Sequence, residues 1–185
     1  MNGGFYASDN YKNTPSSSRS ICADLAENGV SITVNGKTVT KNYNYNNTSA
    51  NPISRKTAVI YTSNGEKKMA YMYAKHRNDI AAKYPSYSQM IGGNDYSLDA
   101  WGEKAYYVPL SRTVLAWDAT NAYLIVTDIA QTISGLKEKI AQLGLSTTNS
   151  VVLDGSGSTA MRCSEFTKKG DERHIFNMIR LIKTS

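Results

Sequence analysis

The densest run of chemically capable residues is Val151-Val152-Leu153-Asp154-Gly155-Ser156-Gly157-Ser158-Thr159. An apolar strand that ends in a carboxylate and enters a turn of glycines and hydroxyls puts Asp154 at a strand's carboxyl end. There it stands beside backbone N–H groups able to face an anion. The same letters also describe an ordinary turn in which an Asp caps its own backbone. Further positions are therefore needed to choose between them.

Three other segments offer them. Asn2-Gly3-Gly4 sets two glycines, which let a backbone approach a ligand closely, beside an amide that both donates and accepts. Gly92-Gly93-Asn94-Asp95 repeats the pairing of Gly-Gly with polar side chains. Ser111-Arg112-Thr113 opens a strand with a guanidinium able to grip a phosphate or carboxylate through two parallel hydrogen bonds.

Several chemistries are excluded. The chain has no G-x-x-x-x-G-K-[ST] loop, no G-x-G-x-x-G after a strand and no G-x-S-x-G elbow. Asp154, Ser156, Ser158 and Glu165 fall at positions 1, 3, 5 and 12 of a calcium loop, but Thr159 stands where that loop needs glycine. His76 and His174 have no histidine or cysteine at i+3 or i+4, which argues against a zinc site. A divalent cation shared by Asp154, Asp128 and Asp95 stays open, as does phosphate binding by arginine alone.

The elements that must position these residues read mostly as strand. Asn35-Gly36 and Asn64-Gly65 each lie between runs rich in β-branched and aromatic residues, the pattern of a tight hairpin. Further strands are expected at Tyr106 to Leu110, Thr113 to Trp117, Ala122 to Thr127, Val151 to Leu153 and Ile175 to Ile182. One helix is clear: Ile133, Leu136, Ile140 and Leu143 recur at three- and four-residue spacing, with Ser134 to cap the start and Gly144 to close the end. Shorter helices fit Ser18 to Glu27 and Asn78 to Lys83, and the Asn-rich stretch Lys41 to Pro52 reads as an exposed loop. The expected fold is α+β, a single domain over residues 1–185 with a mainly antiparallel or mixed sheet and few helices.

Composition agrees with one globular domain. The 185 residues are 41% hydrophobic and 19% charged, enough to bury a core, and no apolar run approaches a membrane span. A net charge of +6 favours an anionic partner, but scattered basic residues without an Arg-rich helix or RNP-type aromatic run argue against nucleic acid. Cys22 and Cys163 can form one bridge or none, and residues 1–20 lack the pattern of a secretory signal.

Taken in order, these pieces resemble the phosphodiester glycosidase family. The likeness runs from Asn-Gly-Gly-Phe-aromatic at Asn2 to Tyr6 through the hairpin at Asn35-Gly36 and the pair Gly92-Gly93. It continues through Arg112-Thr113, a strand ending at Asp128, a helix ending in Leu143-Gly144, and Leu153 to Thr159. The family's last motif reads Asp-Gly-Gly-Gly-Ser, so Ser156 stands where a glycine is usual. The family also carries strand-forming sequence ahead of the first motif, so the expectation is that a core strand is either missing or supplied from elsewhere.

The resemblance implies hydrolysis of a sugar-1-phosphodiester with a phosphate monoester as leaving group. An anionic glycan or sugar phosphate would be the substrate, in an extracellular, cell-surface or phage-associated setting. It implies Asp154 at the anomeric carbon, as nucleophile or as base for water, with Asp128 as the second candidate. Arg112 would hold the phosphate, helped by the backbone of Gly155, Ser156, Gly157, Ser158 and Thr159. Asn2, Gly3 and Gly4 would line the sugar site, with Gly92 and Gly93 as further substrate contacts. The alternative is a carbohydrate-binding or structural domain that keeps the fold without turnover.

Overall fold

The computed structural model describes residues 1–3, 32–34, 37–39, 54–75, 77–171 and 178–179. Outside them lie Gly4, Cys22, His76, His174, the Ser18 to Glu27 segment, the Asn-rich loop, the Asn35-Gly36 turn and most of Ile175 to Ile182. The described elements in chain order are β1 (Ile32–Val34), β2 (Lys37–Val39), β3 (Arg55–Ser63), β4 (Glu66–Ala74), α1 (Arg77–Lys83), β5 (Tyr87–Gly93) and α2 (Leu98–Tyr107). There follow β6 (Thr113–Trp117), β7 (Ala122–Val126), α3 (Ile133–Gln142), β8 (Ser150–Val152), β9 (Met161–Arg162) and β10 (Thr167–Lys168). The domain is α+β with antiparallel pairing throughout the described strands.

Two three-stranded sheets, ordered β4-β3-β5 and β7-β6-β8, carry the core. They are joined where Asn94 bridges Val152, the two residues exchanging backbone hydrogen bonds of 2.8 Å each. The join needs a glycine: a Cβ on Gly93 would stand 2.4 Å from the Val152 carbonyl oxygen. The β3–β4 hairpin turns on Asn64 (φ 53°) and Gly65 (φ 79°), the two successive positive φ angles of a type I′ turn, with Ser63 opposite Glu66.

One sheet face buries Val114, Ala116, Val152 and Tyr96 under Ile133, Leu136 and Ile140 of α3, with Trp101 and Tyr106 of α2 packed alongside. The Tyr96 hydroxyl shares a 3.0 Å hydrogen bond with Ser150 Oγ, and burial pushes its pKa up to about 12. Ala58, Ile91, Leu115, Trp117, Val151 and Leu153 form a second apolar cluster, and Val59, Ala74, Ile80 and Met90 a third. Three of the four residues expected to form the α3 stripe, Ile133, Leu136 and Ile140, are buried, whereas Leu143 is the C-cap and is exposed.

Three expectations need correction. Tyr106 to Leu110 is not a strand: α2 runs to Tyr107, and only Leu110 pairs, as a bridge to Gln131. Tyr106, which suits a strand, serves here to pack a helix on the core while Tyr107 stays exposed, so tertiary packing overrides local preference. The α3 cap is Thr132, whose Oγ accepts from Gly135 N at 2.9 Å, two residues ahead of the expected Ser134. Gly144 does close the helix, at φ 73°, through Gly144 N to Ala141 O and Leu145 N to Ile140 O, a Schellman pair. Finally, β5 was not expected as a strand, because its Gly92-Gly93 end lacks strand propensity and gains its place from β3 and β8 on either side.

Candidate active site

The Asp154 turn grows out of β8. Leu153 N donates to Thr113 O at 2.9 Å, which extends the β6 pairing by one residue and delivers Asp154 to the sheet's edge. A 3-10 turn at Ser156–Ser158 then reverses the chain. Ser156 adopts φ 56°, the left-handed region that disfavours any side chain by about 1–2 kcal/mol. Gly155 allows contact with the neighbouring strand: a Cβ there would meet Ser111 O at 2.7 Å and Arg112 Cδ at 3.8 Å.

Most of the turn's backbone donors are engaged. Gly155 N donates to Asp154 Oδ1 (3.0 Å), Ser156 N to Ser111 O (2.7 Å), Ser158 N to Gly155 O (3.1 Å) and Thr159 N to Ser156 O (3.1 Å). Of the expected cradle of five backbone N–H groups, Gly157 is left as the one with no partner among the described residues. Ser158 is 2% exposed and its Oγ has no hydrogen-bond partner among the described residues. A buried hydroxyl without a partner costs about 1–3 kcal/mol, so this group is held ready rather than used in folding.

Asn2 does not line an open sugar site. It is 2% exposed, and its side chain reaches four partners: Nδ2 donates to Asp154 O (2.7 Å) and, at 3.5 Å, to Gly3 O, while Oδ1 accepts from Thr113 Oγ1 (2.9 Å) and Ala160 N (3.0 Å). Its own backbone N donates to Ala160 O at 3.0 Å, and Gly3 O accepts from Asp154 N at 3.2 Å. Thr113, fully buried, also stands 3.4 Å from Thr159 Oγ1. In the sequence Thr113 stands out as the neighbour of Arg112, and no local pattern points its hydroxyl at Asn2.

Arg112 is 2% exposed beside this turn. Nε donates to Gln131 O (2.9 Å), Nη2 donates to Ala105 O (3.1 Å) and Val108 O (2.8 Å), and the guanidinium lies 5.3 Å from the Trp101 ring centre. Burial draws its pKa below the ordinary arginine value, yet a guanidinium remains charged. A two-armed grip on phosphate is not open to it, because three of its five N–H groups are held by the backbone. Among the described residues the two Nη1 protons take no partner.

The other expected residues are engaged with other partners. Gly92 and Gly93 are buried within β5, where Gly93 admits the backbone of β8 and not a ligand. Asp128 has a fully exposed side chain, 3.6 Å from Lys168 Nζ, one residue beyond Thr127, whose Oγ1 accepts from Arg112 N. Asp95 accepts from Tyr73 OH and, at 2.8 Å, from Ser97 N. Burial alone would raise the Asp95 carboxyl, but these hydrogen bonds and the Lys56 charge bring it below the usual range. Among the described residues no three His, Cys, Asp or Glu side chains gather as a metal site, so Asp95, Asp128 and Asp154 do not converge on a shared cation. Cys163 is an exposed free thiol.

The ordered series of motifs is matched across the chain: comparison with protein families finds phosphodiester glycosidase over residues 1–182. The chain belongs to the phosphodiester glycosidase family. Comparison with curated proteins and with solved structures gives no match. In this family member the first and last of the sequence motifs meet in space, since Asn2 and Gly3 of the one hold Asp154 of the other. Among the described residues no helix is long and apolar enough to cross a membrane.

Proposed function

We propose that this chain hydrolyses the glycosidic bond of a sugar-1-phosphodiester, on a microbial surface glycan or glycopolymer. The observation that carries the reading is the turn from Asp154 to Thr159, where a carboxylate stands at a strand end among donors left unspent by folding. The bond that breaks joins the anomeric carbon to the phosphate oxygen. The leaving phosphate monoester is already an anion, so protonation by a general acid matters less than for an alkyl glycoside. What the protein must supply is an activated oxygen at the anomeric carbon and a hold on the phosphate.

Asp154 takes the first role, as nucleophile or as base for water. Its carboxylate is oriented by the Gly155 N–H, which fixes Oδ1 before substrate arrives. Arg112 Nη1, Gly157 N–H and Ser158 Oγ–H form the anion side, a mixture of charge and oriented dipoles. The excess of Lys and Arg over Asp and Glu, 21 to 15, draws an anionic substrate toward the surface. Asp128, exposed and paired with Lys168, is the second carboxylate proposed for the sugar end.

Bond cleavage in ¹⁸O-water distinguishes this reaction from its neighbours. UDP-N-acetylglucosamine should yield free sugar and UDP, and a simple sugar-1-phosphodiester free sugar and a phosphate monoester, in each case with no ¹⁸O shift in the ³¹P signal. An ¹⁸O-shifted phosphate would mean cleavage at phosphorus and would overturn the glycosidase reading. Saturable binding with neither product would support a carbohydrate-binding domain instead.

A further inference from the structure

We infer that Asn2 is a positioning residue for the Asp154 turn, acting through the Asp154 main chain and not by touching the sugar. The inference rests on Asp154 being the reacting carboxylate. The Asn2 amide has one acceptor and two donors, and the structure occupies both ends. Oδ1 takes the Thr113 hydroxyl from β6 and the Ala160 N–H from beyond the turn, and Nδ2 holds Asp154 O.

One buried side chain thereby ties three points: the start of β6, the entrance to the turn and its exit. The network also fixes the amide's orientation. Ala160 N can only donate, so the group facing it must be Oδ1, which leaves Nδ2 for the Asp154 carbonyl. Thr113 Oγ1 gives its single proton to Asn2 Oδ1, so at 3.4 Å it can only accept from Thr159 Oγ1. The chain of hydroxyls thus runs Thr159 to Thr113 to Asn2, and its far end is the peptide that carries the Asp154 carboxylate.

A ligand-contacting role would require an amide open to solvent, whereas Asn2 is buried with all its directions engaged. A role in general stability alone would leave the turn's geometry unaffected by loss of the Thr113 hydroxyl. Positioning makes a different demand. A displacement of the reacting group by about 1 Å can cost on the order of a hundredfold in rate, so loosening this clamp should lower kcat while leaving KM nearly unchanged.

The test compares Asn2→Ala, Thr113→Val and Thr113→Ser with the wild-type chain in two readouts. The first is amide hydrogen exchange at Asp154 and Ser156, whose own acceptors, Gly3 O and Ser111 O, are untouched by the substitutions, with Leu136 in α3 as reference. Exchange at Asp154 and Ser156 should quicken at least tenfold in Asn2→Ala and Thr113→Val, with Leu136 unchanged and Thr113→Ser close to wild type. The second is hydrolysis of a sugar-1-phosphodiester, where kcat should fall at least tenfold in the first two variants with KM within threefold. Unchanged exchange at the turn would overturn the inference, as would faster exchange with wild-type kcat. If the wild-type chain turns over no phosphodiester, the reaction assignment fails, and the exchange readout alone still decides whether Asn2 positions the turn. Thr113→Val is close in shape to threonine and keeps the comparison open should Asn2→Ala not fold.

Discussion

Gly93 and Val152 approach so closely that a single added carbon on Gly93 would lie 2.4 Å from the Val152 carbonyl oxygen and 2.7 Å from Val151 Cγ2. The contact is the seam between the two sheets, one residue before the Asn94–Val152 bridge and two before Asp154 on the other strand. Backbone cannot yield there without opening the seam. Gly93→Ala should therefore lose about 3 kcal/mol of stability, at the upper end of overpacking costs. Urea unfolding checks this, and a loss under about 0.5 kcal/mol would mean that the seam is looser than described.

Ser156 holds a left-handed conformation at φ 56° with an exposed side chain. Glycine at this position removes the clash between Cβ and the backbone but gives the unfolded chain more freedom, so the two effects partly cancel. The expected net gain for Ser156→Gly is about 1 kcal/mol, and Ser156→Val should lose at least as much. Chemical denaturation of the two variants measures both signs, and a stabilised Val variant would contradict the conformational argument.

Lys56 is 4% exposed, with Nζ 3.0 Å from Thr147 O and 4.6 Å from the Tyr71 ring centre. Burial lowers its pKa to about 8, against an opposing pull from the Asp95 carboxylate. An unfolded lysine titrates near 10.4, so between about pH 8 and 10.4 the folded state binds fewer protons and stability from this group rises with pH. Below pH 8 the cost of keeping the amine charged is at its full value, of order 2–3 kcal/mol. The stability difference between Lys56→Met and wild type should thus favour the variant more at pH 7 than at pH 9.5. A difference that does not move with pH would show that the Lys56 amine titrates alike in both states.

Much of this arrangement is legible in the sequence, and the reasons differ by element. The Asn64-Gly65 hairpin and the α3 stripe are local: a turn chemistry in one case and a 3.6-residue period in the other. Strands β6, β7 and β8 are likewise marked by their own β-branched and aromatic residues. The helix α2 and strand β5 are not, since each owes its state to partners distant in sequence: the α3 side of the core for Trp101 and Tyr106, and β3 and β8 for Gly93.

The candidate site divides along the same line. Asp154 and its glycine turn stand out by composition, but how each donor is used depends on long-range pairing. Arg112 reads as a phosphate grip until the carbonyls of Ala105, Val108 and Gln131 are seen to hold most of it. Asn2 reads as a ligand contact until its partners at Thr113, Asp154 and Ala160 are seen, more than a hundred residues away in sequence.

The central claim is that Asp154 carries the reaction at the anomeric carbon. Asp154→Asn keeps the shape of the side chain and an oxygen able to accept from Gly155 N, and removes the negative charge. The direct measurement is kcat on a sugar-1-phosphodiester for wild type and Asp154→Asn, with matching circular dichroism and thermal unfolding to show that both are folded. The account predicts at least a thousandfold loss of kcat, about 4 kcal/mol of transition-state stabilisation, with substrate still bound. Turnover within tenfold of wild type by the folded variant would contradict it.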